Sequence, residues 1–128
     1  MRINVRLATL AMGVVLGALP ALAADLTGKW TAEFDTQVGP QKYTFNLAVA
    51  GDKVTGKASF ERMGEKGEAD LLEGKLVGDK VSFVETFDAM GSPMRIVYEG
   101  TLKGDEIAFT RKVGEFATEQ LVARRAKD

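Results

Sequence analysis

The 128-residue chain contains no cysteine, no histidine and only three prolines. Without cysteine it can form no disulfide, so burial and backbone pairing must hold the fold together. Without histidine it lacks the commonest metal ligand, the usual base of a catalytic triad and the side chain that titrates near neutral pH. We therefore expect no metal site, no cofactor and no catalytic residue of the usual kinds, which favours a non-enzymatic protein.

The first 24 residues have the features of a secretory signal peptide. Two arginines precede a near-continuous apolar run, residues 7–19, and Ala21-Leu22-Ala23-Ala24 follows it. A basic start, an apolar stretch of about a dozen residues and an Ala-x-Ala end are the parts of such a peptide. The run is too short for a bilayer span of roughly 20 residues. We predict a signal peptide over residues 1–24, a single domain over residues 25–128, and a periplasmic or secreted location.

The domain that would remain after cleavage is weakly acidic. It has 15 basic and 18 acidic residues, a net charge of −3. Such a chain has no general attraction for nucleic acid or for an anionic membrane, so we expect neither as a partner. A domain of about 100 residues can bury one core and fold alone, and the pattern leaves a monomer or a small homo-oligomer open.

An eleven-residue pattern occurs twice in this domain. Residues 73–83 return in similar form as residues 99–109, and a shorter copy covers residues 47–54. Each copy contains a Gly-Asp pair between segments in which apolar residues alternate, and this predicts a β-hairpin with a type II′ turn, in which glycine supplies the positive φ. We assign a structural role to the three turn glycines, which are Gly51, Gly78 and Gly104.

Alternation of apolar residues predicts eight strands in up-and-down order and no helix. Arg62–Gly67, between the third and fourth strands, is charged and glycine-rich and is expected to be a mobile loop. A single strand is expected over Ala69–Val77, and a turn over Met90–Pro93. A meander leaves two strand edges exposed unless its first and last strands meet. We therefore predict an all-β fold, a single antiparallel up-and-down eight-stranded barrel, with a two-sheet sandwich or an open curled sheet as alternatives.

Hairpin pairing predicts one polar row on the apolar inner face. Pairing across the Gly104 turn sets Tyr98 opposite Arg111, and the expected turn over Met90–Pro93 sets Glu85 opposite Tyr98. A carboxylate and a guanidinium there would stabilise each other, with the phenol as a third member. Either the three groups fix the register of a packed barrel, or they line the wider end of a cavity and orient a polar group of a small ligand.

Three functions are compatible with this pattern. The first is binding of a small, partly apolar ligand inside the barrel, with the candidate residues Glu85, Tyr98, Arg111, Trp30 and Phe34. The second is an accessory module that contacts a glycan or another protein through the loops Thr36–Lys42 and Glu61–Gly67. The third and weakest is a hydrolase based on two carboxylates, Glu85 and Asp70, which the expected register places on adjacent strands with Asp70 opposite Phe87.

The segment Leu26-Thr27-Gly28-Lys29-Trp30-Thr31 resembles the opening of avidins, and Gly-x-Trp on the first strand is shared by lipocalins. The chain is therefore similar to the calycin superfamily of ligand-binding eight-stranded barrels. The resemblance implies that Trp30 closes the base of the barrel and that a cation from the last strand packs across it. Arg124 or Arg125 would be that cation, and we assign the structural role to Arg124.

A second resemblance spans most of the predicted domain. Three phrases are similar to those of small uncharacterised exported bacterial β proteins: Gly-Lys-Trp-Thr-Ala-Glu-Phe-Asp-Thr-Gln at residues 28–37, Gln-Lys-Tyr-Thr-Phe at residues 41–45, and Phe-Thr-Arg-Lys-Val-Gly-Glu-Phe-Ala-Thr-Glu at residues 109–119. Similar modules stand alone or are appended to extracellular carbohydrate-active enzymes. That resemblance implies an accessory role.

Overall fold

The computed structural model describes residues 26–89 and 91–127, which form an all-β fold. The predicted signal peptide lies outside the described residues. In the part of the chain that is described, no helix is long and apolar enough to cross a membrane. The strand segments, in chain order, are β1 (Gly28–Thr36), β2 (Gly39–Ala50), β3 (Lys53–Arg62), β4 (Glu65–Asp70), β5 (Leu72–Val77), β6 (Lys80–Ala89), β7 (Ser92–Lys103), β8 (Glu106–Val113) and β9 (Ala117–Arg125).

These segments form one closed antiparallel barrel of eight strands, as predicted. β4 and β5 are two halves of one strand that bends at Leu71, and both halves pair with β3. All other consecutive strands pair with each other, and β9 returns to pair with β1. The ring of pairings is complete, so neither the sandwich nor the open sheet describes this chain.

The repeated Gly-Asp pairs form the predicted turns. In each hairpin the residues on either side of the pair are bonded partners, which leaves a loop of two residues. The φ angles are 66° at Gly51, 63° at Gly78 and 59° at Gly104, and the aspartate after each glycine has no positive φ. A type II′ turn needs positive φ only at its first loop residue, whereas type I′ needs it at both, so type II′ is confirmed.

Backbone pairing around the barrel is uneven and defines two half-sheets. Strands β1–β4 pair along their length, and so do strands β6–β9. β9 pairs with β1 only at Arg124 with Thr31 and at Arg125 with Trp30. At the second junction between the half-sheets, β5 pairs with β3 and with residues 80–84 of β6. No backbone pair among the described residues joins β4 to Glu85–Ala89. The half-sheets are thus bonded together at the end that carries the Gly-Asp turns, which we call the closed end, and separate towards the opposite, open end.

The predicted mobile loop at Arg62–Gly67 is wrong. Arg62 pairs with Glu65, and β4 begins there, so Met63 and Gly64 alone form the turn. Their φ angles of 52° and 84° are both positive, which is the type I′ geometry. The pattern hides this hairpin because methionine rarely adopts positive φ.

The predicted single strand over Ala69–Val77 is also wrong. The chain bends at Leu71, and an irregularity between Leu72 and Lys75 shifts the pairing with β6. Glu73, inside that irregularity, has a φ of 55°. Extra residues in one strand of a pair bend it and change its register, and this irregularity places Leu72 opposite Val84.

The register between β6 and β7 differs from the predicted one by two residues. Ala89 pairs with Ser92, so the turn contains two residues rather than four, and Glu85 lies opposite Ile96 instead of Tyr98. A shift by an even number of residues keeps every side chain on its predicted face. Glu85 and Tyr98 therefore remain on the inner face as diagonal neighbours. The predicted pairing of Tyr98 with Arg111 is confirmed.

Aromatic rings fill the closed half of the barrel. Phe45, Phe83, Tyr98 and Phe109 are at most 1% exposed, and their ring centroids lie 5.0 to 5.9 Å apart. Gly100 lies opposite Phe109, and a Cβ there would stand 2.6 Å from the phenylalanine ring. The absence of a side chain at Gly100 therefore allows the Phe109 ring to pack directly against the strand. The closed half of the barrel is a packed core.

Candidate functional site

A cavity of about 910 Å³ occupies the open end of the barrel. It is bounded by the turns after β1, β3 and β8 and by the adjoining ends of β6 and β7. Its apolar walls include Phe60, Phe87, Met94, Ile96, Val113 and Phe116, and its polar lining includes Gln41, Arg62, Arg111 and Glu119. The barrel is thus half packed and half hollow.

Four buried polar side chains, which we call the polar tetrad, lie between the aromatic core and the cavity: Tyr43, Glu85, Tyr98 and Arg111. Each is at most 2% exposed. Tyr43 Oη donates to Glu85 Oε2 at 3.1 Å, and Tyr98 Oη donates to Glu85 Oε1 at 3.0 Å. Arg111 donates from Nε to Tyr98 Oη at 2.9 Å and from Nη2 to Tyr43 Oη at 3.1 Å. The carboxylate and the guanidinium therefore interact through two phenols, each of which accepts from one and donates to the other.

Glu119 completes the hydrogen bonding of Arg111 from the neighbouring strand. Arg111 Nη1 donates to Glu119 Oε1 at 2.5 Å, and the two residues are cross-strand partners on β8 and β9. The Glu119 side chain is 13% exposed and lines the cavity. The guanidinium is thus anchored on three sides, as a buried charge must be to persist.

The surroundings of Tyr43, Tyr98 and Arg111 hold the protonation states of these three side chains. Burial, followed by the charge of Glu85, raises the pKa of Tyr98 well above its ordinary value of 10.0. The same two causes raise the pKa of Tyr43, although Arg111 and Arg62 reduce the effect. Burial alone would lower the pKa of Arg111, but Tyr98, Tyr43 and Glu119 outweigh it and raise the pKa. Both phenols therefore remain protonated donors and Arg111 remains charged.

Arg62 spans the gap between the half-sheets, at the edge of the cavity. Its guanidinium carbon lies 3.7 Å from the ring centroid of Phe60 and 4.7 Å from that of Phe87. Its polar contact among the described residues is a long one, 3.5 Å from Nη2 to Glu85 Oε2. Since most of its N–H groups have no acceptor among the described residues, Arg62 can bind a further anionic group.

Gln41 contributes a hydrogen-bond acceptor to the same region. The side chain is 5% exposed and lines the cavity. Thr36 Oγ1 donates to the Gly39 carbonyl at 2.8 Å, so towards Gln41 it acts as an acceptor, and Gln41 Nε2 donates to it at 3.4 Å. This fixes the orientation of the amide. Gln41 Oε1 is then left buried with no donor among the described residues, which is a costly state for a buried acceptor.

The structure places Trp30 at the closed end, away from the cavity lining. Its side chain is fully buried, and Nε1 donates to the Leu26 carbonyl at 2.9 Å. The cation across its ring is Arg125, whose guanidinium carbon lies 4.4 Å from the centroid and whose Nε donates to Asp105 at 2.9 Å. The assignment of this role to Arg124 is therefore wrong.

The reason is the alternation of β9. Leu121 and Ala123 face the core, so Arg125 shares their side of the strand, whereas Arg124 is exposed and pairs with Glu106. An arginine from the last strand thus packs across Trp30 at the base of the barrel, as predicted, but that arginine is Arg125 and not Arg124.

Phe34 contacts the tetrad from β1. Its ring centroid lies 5.7 Å from that of Tyr43 and 5.3 Å from the Arg111 guanidinium carbon. It is partly buried against the core. Of the five predicted ligand-binding residues, the structure thus brings Glu85, Tyr98, Arg111 and Phe34 together below the cavity and separates Trp30 from them.

The carboxylate pair of the hydrolase hypothesis is not brought together. Asp70 is exposed and lies opposite Lys57 on β3, not opposite Phe87 as predicted. Glu85 is fully buried and hydrogen-bonded to two tyrosines. The bend at Leu71 explains the difference, because it directs β4 away from β6.

Sequence reasoning missed three members of this region in addition to Tyr43: Gln41, Arg62 and Glu119. Glu119 could have been found, because it shares the inward side of β9 with Leu121 and Ala123. Tyr43 alternates with the apolar residues Phe45 and Leu47 on β2, which indicates the inner face, but its partners lie 42 and 68 residues away across the barrel. No pattern within one hairpin carries that information.

No family model and no curated protein matches this chain. Two solved structures are similar in fold. A fatty acid transporter called REP1-NXSQ superposes with a TM-score of 0.50 and 16% identity, over 83% of this chain and 99% of that one. A mutant of the fluorescent protein UnaG gives a TM-score of 0.49 and 15% identity, over 82% of this chain and 99% of that one.

The fold is calycin-like. The predicted resemblance is confirmed at the level of architecture, since the transporter shares the barrel over almost its whole length. At 16% identity the likeness concerns the fold of this calycin-like barrel, and its ligand must be argued from its own residues.

Proposed function

We propose that this calycin-like barrel binds a small amphipathic molecule in its open-end cavity. The observation that carries the proposal is the cavity itself, about 910 Å³ in volume, with apolar walls above a buried and charged floor. Ligand pockets of this size class combine mainly apolar walls with a few placed polar groups. An eight-stranded barrel can hold one small ligand when side chains do not fill it.

Apolar residues continue from the walls onto the rim. Val38, Met63, Phe87 and Phe116 lie at the open end and are 61%, 71%, 39% and 76% exposed. Large apolar side chains grouped around an opening are typical of a binding surface. We infer that the apolar part of the ligand lies along the walls towards this rim and that its polar part lies near Arg62 and Gln41.

The solved barrel of similar fold is named a fatty acid transporter. A fatty acid is an amphipathic acid, so it is a reasonable first class of ligand to test. We further propose that the protein is exported to the periplasm or secreted, which rests on the signal-peptide features of residues 1–24. The N-terminal residue of the protein recovered from a periplasmic or culture fraction would be Ala24 or Asp25. An intact Met1 in that fraction would contradict cleavage of a signal peptide, and absence of the protein from both fractions would contradict export.

A cavity-filling variant tests the binding proposal. Ala69 is half-buried in the cavity wall, and Ala48 lies exposed on the outer surface of β2. With the fluorescent probe anilinonaphthalene sulfonate, we expect Ala69→Trp to weaken binding about tenfold or more, the loss expected when about 1.4 kcal/mol of contacts is removed. Ala48→Trp should bind as the native protein does. No saturable binding by the native protein, or equal losses in both variants, would contradict a ligand site in the cavity.

A further inference from the structure

The cavity presents a cation and an unpaired acceptor side by side. Gln41 and Arg62 are cross-strand partners on β2 and β3, and both line the cavity. Partner side chains in an antiparallel pair have Cβ atoms about 5 Å apart. Two ligand groups separated by only a few bonds can therefore contact both side chains at once.

Arg62 selects for an anion. The guanidinium lies between two aromatic rings, its side chain is 15% exposed, and its contact with Glu85 is 3.5 Å long. Glu119 is already bound by Arg111 at 2.5 Å. The other carboxylates of the cavity lining are exposed to solvent: Glu65, Glu68 and Asp88. The positive charge of Arg62 is partly buried and has one long ionic contact, with Glu85. Such a cation favours a ligand that brings a negative charge, because charge-assisted hydrogen bonds are strongest where water is excluded.

Gln41 selects for a donor. One of the two Nε2 hydrogens is donated to Thr36 Oγ1, so the amide atom that has no partner among the described residues is Oε1, an acceptor. A carboxylate cannot satisfy it, because a carboxylate has no hydrogen to donate. A simple fatty acid anion would thus satisfy Arg62 and leave Gln41 Oε1 buried and unpaired.

We propose that the ligand is an amphipathic acid that carries an N–H or O–H donor close to its anionic group, as in an N-acylated amino acid or a hydroxy acid. The anion binds Arg62, the donor binds Gln41 Oε1, and the acyl chain follows the apolar wall to the rim. This inference rests on the proposed function and adds to it a requirement that plain fatty acids do not meet.

Paired ligands test the donor directly. N-dodecanoylglycine and N-dodecanoylsarcosine carry the same chain and the same acid, but the second has a methyl group in place of the amide hydrogen. By calorimetry below micelle-forming concentrations, we expect the native protein to bind the glycine compound about tenfold more tightly, the effect of one buried hydrogen bond. A second pair, 3-hydroxydodecanoate and dodecanoate, tests an O–H donor in the same way, and the pair with the larger preference identifies the source of the donor.

Two variants assign the preference to the residues. Gln41→Leu should abolish the preference within each pair, whereas Arg62→Met should weaken every acid about tenfold and leave the ratios unchanged. Gln120→Leu, which removes an exposed amide from the outer face of β9, is the control and should change neither. Since the ratio of two ligands is measured on one protein, a partial loss of folding in any variant does not alter it.

Failure of this inference and failure of the proposed function give different results. Equal affinity within both pairs, with tight binding of all four acids, overturns the donor requirement and leaves the binding function standing. A preference that persists in Gln41→Leu overturns the role of Gln41. Absence of binding for all four acids and for anilinonaphthalene sulfonate overturns the cavity as a ligand site.

Discussion

The two tyrosines of this protein are both buried in the polar tetrad. Tyr43 and Tyr98 are the only tyrosines in the chain, and each donates to Glu85 while it accepts from Arg111. Any phenol titration observed in solution therefore reports on the polar tetrad alone. This gives the centre of the barrel an intrinsic probe.

Alkaline titration should show these phenols to be resistant to ionisation. Both pKa values are raised in the folded state above the ordinary value of 10.0. The unfolded chain then loses its phenol protons first, so the stability supplied by the two groups is complete below pH 10 and falls as the pH rises above it. We expect phenolate absorbance to appear only together with unfolding, whereas the chain in denaturant titrates near 10. A normal titration of the folded protein would contradict the tetrad.

Replacement of Arg111 should be costly. Arg111→Met removes the donor to both phenols and leaves Glu119 without its partner, so we expect the free energy of unfolding to fall by about 3 kcal/mol. Arg124→Met, on the adjacent strand, breaks only an exposed ion pair with Glu106 and should cost no more than about 1 kcal/mol. Chemical denaturation of the two variants measures both. Similar losses would mean that burial of Arg111 contributes nothing beyond a surface contact.

Glycine lies in the strands at points where a side chain of the neighbouring strand packs directly against the backbone. In β7, Gly100 faces both Phe109 and Ile107 of β8, and a Cβ would stand 2.6 and 2.8 Å from them. In β4, Gly67 lies against the ring of Phe60 in the same manner. Aromatic rings that cover strand glycines are thus a recurrent device in this barrel, and they allow the walls to curve.

A double-mutant cycle tests this device. We expect Gly100→Ala to lower the free energy of unfolding by about 2 kcal/mol, because the added methyl overpacks the wall. In Phe109→Leu the smaller side chain leaves room for that methyl, so the two losses should be coupled by about 1 kcal/mol. Strict additivity, measured by denaturant unfolding of the single and double variants, would show that the ring moves aside freely.

The whole molecule behaves as two half-sheets bonded at the closed end and linked by side chains near the open end. Tyr43 and Arg62 belong to the first half-sheet, and Glu85 and Arg111 to the second, so the tetrad and Arg62 cross the gap where backbone pairs are missing. The same gap contains the cavity. We therefore expect that loss of these contacts would let the half-sheets separate more readily at the cavity.

Hydrogen exchange should reveal this arrangement. We expect the amides on the facing edges of β4 and Glu85–Ala89 to exchange faster than those of β7, which is paired on both sides. Tyr43→Phe removes two of the hydrogen bonds that cross the gap and should accelerate exchange at these edges about tenfold. The matched control is Thr110→Val, which removes a hydrogen bond within the second half-sheet. An equal response to both variants would show that the tetrad does not hold the halves together.

Contacts of the site could be predicted from the sequence when the two residues lie close together along the chain, and not when they lie far apart. Tyr98 and Arg111 are partners in one hairpin, so the Gly104 turn alone was enough to pair them. Glu85 was placed on the correct face but two residues out of register, because the length of the turn before β7 has no unique signal. Arg62 fell in a segment that resembles a loop, and Tyr43 meets its partners across the barrel, where curvature and not pairing decides the contact.

Alternation of apolar residues and three Gly-Asp turns were sufficient by themselves to determine an all-β series of hairpins and the face on which most strand residues lie, because strand periodicity and two-residue turns are local properties. Closure of these hairpins into a barrel was decided by the pairing of β9 with β1. The tertiary structure alone decided which inward residues meet, how far the half-sheets separate, and that the barrel is packed at one end and hollow at the other. Those features depend on the curvature of the closed sheet, the bend at Leu71 and the close approach of residues far apart in sequence, and no short segment of the chain encodes them.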